Sequence, residues 1–419
     1  MPSIASTSRT GLTSPETAAA PFTQPAPRNR RIAAFEHMVR TAGVPCEIEL
    51  PSGACIRAGA DPPAFRVKVR SEKALRRLDE YALGMAYVEG QIDFEGDMLA
   101  LLDVRAALRD RFPLALTLRF LSQLLLAPST WINKRSIADH YSYGDDSYLS
   151  FTDRDYHFYS HCVFHDDEET LEQAATHKLE QMFDALELKP GMRLLDIGGG
   201  WGAAIKYCAP RGVHATSLTV AEDSYRYITR HLQESGLDGE VRFEDFLVHA
   251  PAEPYDAVVI YGVIEHIPMY RRFAEQVWRC LKPGGRLYVD ASATKQKFEM
   301  SAFTRQFTWH GTHTFLCLQD LMQELLYAGL DIVRVREETR DYELTMRHWA
   351  ERFDAQRDMV VARWGERLYR HHRIFLWGGC HAFRTGGLQA YHLVARRGVH
   401  PGPRPGALTR ASQFVKSLV

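Results

Sequence analysis

The segment Arg193-Leu194-Leu195-Asp196-Ile197-Gly198-Gly199-Gly200-Trp201-Gly202 restricts the fold more than any other part of the chain. A short apolar run with the density of a buried strand ends in an acid and enters a glycine turn, after which Ala203 to Ala209 takes up helical patterning. Glycines at a strand-to-helix junction let the backbone approach a ligand closely, beside the free N–H groups of a helix start. The spacing Asp-x-Gly-x-Gly-x-Gly begins on the acid and differs from the Gly-x-Gly-x-x-Gly of dinucleotide sites. Further strands read at Ala215 to Leu218, Ala257 to Ile260 and Arg286 to Val289. Helical patterns fall between them, including Tyr270 to Leu281, which Lys282-Pro283-Gly284-Gly285 closes. Strand–helix alternation predicts an α/β fold: a Rossmann-like, mostly parallel, doubly wound sheet.

Changes of texture divide the rest. Residues 1–31 are rich in Ser, Thr, Ala and Pro and read as a tail that buries too little to order. Residues 32–126 read as a smaller N-terminal α+β module. Cys46 to Leu50 and Ala64 to Val69 alternate with period two, Ser71 to Leu83 resembles a capped amphipathic helix, and Met98 to Phe120 is helical but interrupted at Pro113. Residues 127–400 hold the α/β domain, with a helix over Leu171 to Leu188 ahead of its first strand, and 401–419 form a second tail.

Composition excludes several classes. The 51 Lys+Arg balance 52 Asp+Glu, so the broad basic footprint of a nucleic-acid binder is missing and no nucleic acid is expected as a partner. The seven Cys are scattered without a CxxC pair, which argues against a zinc site and for a reducing cytoplasm. No apolar run approaches the ~20 residues that span a bilayer.

Three features add to the glycine turn. Glu244-Asp245-Phe246 follows a third-strand candidate, where a carboxylate can accept from an adenine amino group. Tyr255 to Val259 reads as the next strand, and Leu281 to Val289 (LKPGGRLYV) as a closing turn and strand. Together they resemble the class I S-adenosylmethionine-dependent methyltransferases. That resemblance implies S-adenosylmethionine as cofactor, held by Asp196, Gly198, Gly200, Gly202, Ser217, Leu218, Glu222, Asp245 and Phe246.

Other segments narrow the family. His140 to Tyr148 (HYSYGDDSY), Tyr159-Ser160, Thr170 to Ala174 (TLEQA), Ile264-Glu265-His266 and Ile374 to Arg384 are similar to segments of the cyclopropane-fatty-acid and mycolic acid cyclopropane synthases. Gly84 to Phe94 resembles part of that family's lipid-engaging domain. The resemblance adds Tyr159 and Ser160 to the cofactor set. It implies alkylation of the double bond of an unsaturated acyl chain, within a phospholipid, by a protein peripheral to the inner membrane and homodimeric. Plant benzylisoquinoline N-methyltransferases are similar to the same family, which leaves an amine acceptor as the alternative, and a lipid-binding protein without catalysis as a third reading.

An isolated alkene is a poor nucleophile, and its attack on a sulfonium methyl leaves a carbocation that aromatic faces stabilise. A base then removes a proton. In the family a bound bicarbonate does this, held by Cys, Glu, His, Tyr and a backbone carbonyl. The Glu corresponds to Glu265 and the Tyr to Tyr342. The Cys falls on His161 or on Ser160, depending on the direction of counting, and the His falls on Asp290. A second carboxylate beside Glu265 repels an anion. The expectation is therefore that bicarbonate is not used and that Asp290 or His161 serves as base. Phe303, Phe307, Trp309 and Phe315 read as an acyl channel or as ordinary core. Arg367, Arg370, His371, His372 and Arg373 read as a solvated helix face or a headgroup contact.

Overall fold

The computed structural model describes residues 30–108, 113–126, 148–307, 311–399, 401, 404, 406 and 409. The motif at 140–147, Trp309 and the side chain of Phe307 lie outside the described residues.

In the N-terminal module, helix α1 (Arg30–Ala42) precedes a four-stranded sheet built from β1 (Cys46–Glu49), β2 (Cys55–Ala58), β3 (Phe65–Val69) and β4 (Ile92–Gly96) in the order β2-β1-β3-β4. The predicted alternation is what the sheet uses: Ile48, Phe65, Val67 and Val69 point into one core with Phe35 and Val39 of α1. The helix expected over Ser71 to Leu83 is corrected. Ser71 caps only a short 3-10 turn, Glu72–Leu75, and the helix proper is α2 (Glu80–Val88). Asp79 decides this, because its carboxylate accepts the Ala82 N–H at 3.0 Å and starts a new helix there. Beyond it come α3 (Met98–Asp103) and α4 (Leu114–Leu126), separate helices on either side of Pro113.

The larger domain has seven strands in the order β10-β11-β9-β8-β5-β6-β7. Helix α5 (Leu171–Ala185) leads into β5 (Arg193–Ile197). After it follow α6 (Ala203–Cys208), β6 (His214–Thr219), α7 (Glu222–Ser235), β7 (Gly239–Phe243), β8 (Tyr255–Tyr261), α8 (Tyr270–Cys280) and β9 (Leu281–Ala293). The chain continues through α9 (Ala302–Phe307), α10 (Leu318–Tyr327), β10 (Leu330–Glu337), α11 (Thr339–Ala355), α12 (Arg357–Trp364), α13 (Glu366–Arg384) and β11 (Gln389–Arg397). β5 to β9 are mutually parallel, and β11 runs antiparallel between β9 and β10. From β5 the chain winds outward to β6 and β7, then crosses back to β8 on the other side. The crevice at the carboxyl ends of β5 and β8 is thus a topological switch point, where ligands of such sheets bind.

α13 fastens the two parts together. Arg370 donates to the carbonyls of Tyr87 (3.1 Å) and Ile92 (3.0 Å) and to Asp93 (2.7 Å). Arg373 bonds Asp354 and the Tyr87 hydroxyl. His381 meets Asp103 at 3.0 Å. Arg370 and Arg373 are therefore neither solvated nor turned to headgroups; they clamp the module to the α/β domain.

Candidate active site

The glycine turn follows β5 at the switch point. Asp196 is buried beneath it and accepts the Ser217 hydroxyl at 2.6 Å across the β5–β6 register. Burial pushes its carboxyl up to about 6, partly offset by that bond. The N–H groups of Gly198 and Gly199 both donate to the Leu218 carbonyl, at 2.8 and 2.9 Å. A Cβ on Gly198 would stand 2.4 Å from Val263, so the loops after β5 and β8 pack directly on each other there. Gly200 is different: at φ +51° its Cβ would meet nothing nearer than a carbonyl oxygen at 3.9 Å. It is the point where the turn faces open space. Asp245 caps the short turn after β7 by accepting the Leu247 N–H at 2.9 Å, and Glu222 is exposed at the start of α7.

Residues 159–164 form a strap pinned along its length. Tyr159 stacks on Trp349, with ring centroids 5.4 Å apart. The Ser160 hydroxyl donates to Asp290 Oδ1 (3.1 Å). His161 Nε2 lies 2.8 Å from Glu338 Oε2. The Cys162 N–H donates to Thr345 Oγ1 (2.9 Å) and the Phe164 N–H to Asp341 (2.8 Å). Upstream, the buried Asp153 accepts the N–H groups of Tyr156 and Phe158, both at 2.6 Å, and so sets the entry angle of the strap. Burial pushes the Cys162 thiol well above its ordinary value, so it is an inert core group.

Behind the strap lies a dry ionic cluster. Lys178 of α5 is ion-paired with Asp290 and lies 2.9 Å from His161 Nε2. Glu338 receives His161 on one oxygen and His392 (2.7 Å) on the other, where Gln181 also donates at 2.7 Å. The side chains of Lys178, Asp290, Glu338, His161 and His392 are all 0% exposed. Burial by itself would lower the Lys178 ammonium and raise the Glu338 carboxyl. Their charged neighbours overcome it, holding Lys178 above and Glu338 below its ordinary value.

Glu265 sits in the turn after β8, 1% exposed. Its Oε1 accepts both the N–H (3.0 Å) and the hydroxyl (2.8 Å) of Ser292. Its Oε2 is buried without a hydrogen-bond partner among the described residues. Burial, reinforced by Asp290, pushes the carboxyl up to about 7. Next to it, burial drives His266 down to about 4, and that ring meets His313 at 2.7 Å.

Ser292 and Tyr342 are among the residues that line a cavity of about 940 Å³. Its walls come from both parts of the molecule: Phe35, Ile48 and Tyr87 from the module, Phe303 and Phe315 beyond β9, and Phe375 from α13. Gly84 in mid-helix α2 admits the Phe303 ring, which a Cβ would meet at 2.9 Å.

The family described as mycolic acid cyclopropane synthetase matches residues 129–393, more than half of the chain. The chain belongs to that family. Its members are S-adenosylmethionine-dependent methyltransferases acting on lipids, and so is this enzyme a methyltransferase using S-adenosylmethionine. The cyclopropane-fatty-acyl-phospholipid synthase of Escherichia coli K12 is 28% identical over 375 residues, which covers 85% of this chain and 94% of that one. The sphingolipid C9-methyltransferase of Candida albicans is 26% identical over 335 residues, 75% of this chain, which spans 65% of that enzyme's length. The mycolic acid cyclopropane synthase CmaA1, solved with SAH and CTAB, shares the fold at a TM-score of 0.58 and 24% identity. That match covers 63% of this chain and 98% of that one.

Within this family site, several sequence expectations need correction. Asp290 is not an isolated second carboxylate, because Lys178 is ion-paired with it, although it still raises the proton affinity of Glu265. The repulsion expected for a bound bicarbonate is thereby reduced. Nor is Asp290 placed to act as a base: one oxygen accepts Ser160 and the Gly262 N–H (2.9 Å), and the other faces Lys178. His161 is buried behind Tyr342, ring centroids 4.9 Å apart, with its Nε2 committed to the ionic cluster. Leu218 serves the turn through its carbonyl, and the Phe246 ring packs on Phe273 in the core, 5.7 Å away. The structure does bring Glu265, Ser292, Tyr342 and the glycine turn to one end of the sheet. Sequence reading missed Lys178, Glu338, Gln181 and Ser292. A usable signal existed for Lys178, which falls on the buried helical face of Leu171, Ala174, Ala175 and Met182.

Outside this site, His165 and Glu169, ahead of α5, cluster with His177 on that helix. Their two imidazoles stack nearly parallel, 3.9 Å apart at 15°, so the in-plane lone pairs run side by side instead of converging as metal ligation requires.

Proposed function

We propose that this methyltransferase alkylates the double bond of an unsaturated acyl chain of a membrane phospholipid. The observation that carries the reading is the apolar cavity, whose lining includes Tyr342 and the Ser292 that holds Glu265. A pocket of this size and lining suits a long hydrocarbon and offers little to a soluble amine. The cofactor supplies an electrophilic methyl group. Gly198 to Gly202 and Asp245 hold it, and the space open at Gly200 fits the close approach of a bulky ligand to the backbone.

Alkylation leaves a positive charge on the lipid chain, and this chain's residues manage that charge and the proton that follows. The aromatic rings of the cavity wall, Phe303 and Phe315 among them, offer faces to the cation, while Tyr342 is held between Phe383 (4.3 Å) and His161 (4.9 Å). The apolar walls favour the hydrocarbon over water, which would otherwise trap the cation as an alcohol. Glu265, fixed through Ser292 with one oxygen left over, acts in its ionised form. It either takes the proton or, with Tyr342, holds a bicarbonate that supplies the acceptor, and the unpartnered Oε2 fits a hydroxyl donor there. Turnover then rises with pH as Glu265 ionises around 7.

No helix among the described residues is long and apolar enough to cross a membrane, and our reading has the lipid met at a membrane surface. Helix α4 fits that surface. Leu114, Leu118 and Leu121 stand 73%, 57% and 43% exposed on one face, while Phe120 packs on Phe298 of the cavity wall at 5.5 Å. A sphingolipid chain is the second reading, supported by the likeness to the Candida albicans enzyme. The test is release of S-adenosylhomocysteine on vesicles of dioleoyl phosphatidylglycerol, of its saturated counterpart, and of an unsaturated ceramide. Turnover on the first alone supports the proposal. Turnover on ceramide alone moves it to the second reading, and turnover on neither overturns both.

A further inference from the structure

Helix α5 carries an ammonium group into the interior of the domain. Lys178 lies on the helix's apolar face with Ala174, Ala175, Leu179 and Met182. A charge there is tolerated only if its partners compensate it closely. Those partners come from distant parts of the chain. Asp290 lies within β9, Glu338 follows β10, and His161 belongs to the strap. Lys178 Nζ is 3.8 Å from Glu338 Oε2, within ion-pair range of both carboxylates.

The count of charge is the informative part. Two carboxylates face a single ammonium in a region closed to water. Removing Lys178 adds one uncompensated negative charge to it. Removing the charge of Asp290 as well restores the original balance. Glu265 feels this balance directly, since Asp290 raises its proton affinity and Ser292, two residues along β9 from Asp290, holds its Oε1. The other titratable groups around Glu265 are His266 in its own turn, His313 from the segment before α10, and Tyr270 from α8.

We propose that Lys178 is a positioning residue for the reaction: by offsetting the charges of Asp290 and Glu338 behind the strap, it lets Glu265 act in its ionised form. The inference rests on the alkylation reading given above. An uncompensated negative charge there would hold Glu265 in its protonated, inactive form.

The test compares Lys178→Met, Asp290→Asn and the double variant with the wild type. Calorimetry with S-adenosylhomocysteine first confirms a folded cofactor site. Infrared difference spectra against Glu265→Gln then read the protonated carboxyl of Glu265 over pH, without any lipid. Finally, the pH profile of turnover is measured on unsaturated phospholipid vesicles. Lys178→Met should move the Glu265 titration and the rising limb of the turnover profile up by about one pH unit or more, and lower kcat about tenfold with little change in KM. The double variant should restore both, because it restores the charge count; it also carries the test if Lys178→Met does not fold. A double variant no better than the single one, or loss of turnover with the Glu265 titration unmoved, would overturn the proposal and leave Lys178 a merely structural ion pair. Absence of wild-type turnover on every lipid would instead count against the alkylation reading, while the infrared titration still decides the charge argument.

Discussion

Replacing Glu265 by glutamine should alter how folding stability depends on pH, in a direction set by the burial of the carboxyl. In the unfolded chain the group ionises near 4.5, and in the folded protein near 7. The folded state thus binds this proton more tightly. Below pH 4.5 the group is protonated in both states and contributes nothing. Between 4.5 and 7 the unfolded chain releases the proton first, so stability falls as pH rises, and above 7 the full loss persists. A tenfold change in an equilibrium is worth about 1.4 kcal/mol, which makes the total about 3 kcal/mol. Glutamine keeps an oxygen for Ser292 and cannot ionise, so it escapes that loss. The assay is urea unfolding of both proteins at pH 4.5 and pH 8. The glutamine variant should gain about 3 kcal/mol on the wild type between the two pH values, whatever their difference at the lower one. A difference that stays constant to within about 0.5 kcal/mol would refute the reasoning, since Glu265 would then ionise as readily inside the protein as outside.

Three further outcomes follow from the geometry. Gly200→Val places a branched side chain in the open space of the turn and in a left-handed backbone conformation. It should weaken S-adenosylhomocysteine binding about 100-fold or more by calorimetry, at a stability cost of about 1–2 kcal/mol. Arg370→Met removes the donor to two carbonyls and Asp93. Unfolding should become easier by about 2–4 kcal/mol, with faster proteolysis of the N-terminal module. Gly84→Leu drives the Phe303 ring into the cavity. It should raise KM for long-chain lipid while calorimetry shows cofactor affinity unchanged.

The parts of this molecule that sequence made legible are those in which one local rule acts alone. A buried strand running into glycines has few other uses, and the Asp196 turn lies where its spacing placed it. Alternation at Ala64 to Val69 likewise specifies β3 and its buried face. Sequence failed where distant residues settle the outcome. Asp290 reads as an isolated extra acid until Lys178, more than a hundred positions earlier, is seen to pair with it. Arg370 reads as a solvated base until the carbonyls of α2 and β4 are found around it. Ser71 to Leu83 has helical spacing, yet the cap at Asp79 restarts the helix. In each case the local pattern was read correctly and a tertiary partner changed its meaning.

The central claim concerns which atoms receive the methyl carbon. Purified enzyme, S-adenosylmethionine with a fully deuterated methyl group, and vesicles of an unsaturated phospholipid suffice to test it. The acyl chains are then released and weighed by mass spectrometry. The account predicts label in the unsaturated chain alone: two deuteriums retained for a ring or methylene, three for a methyl branch, and none in chains that lacked a double bond. Label confined to the headgroup or to an added amine, with the unsaturated chains unlabelled, would contradict it.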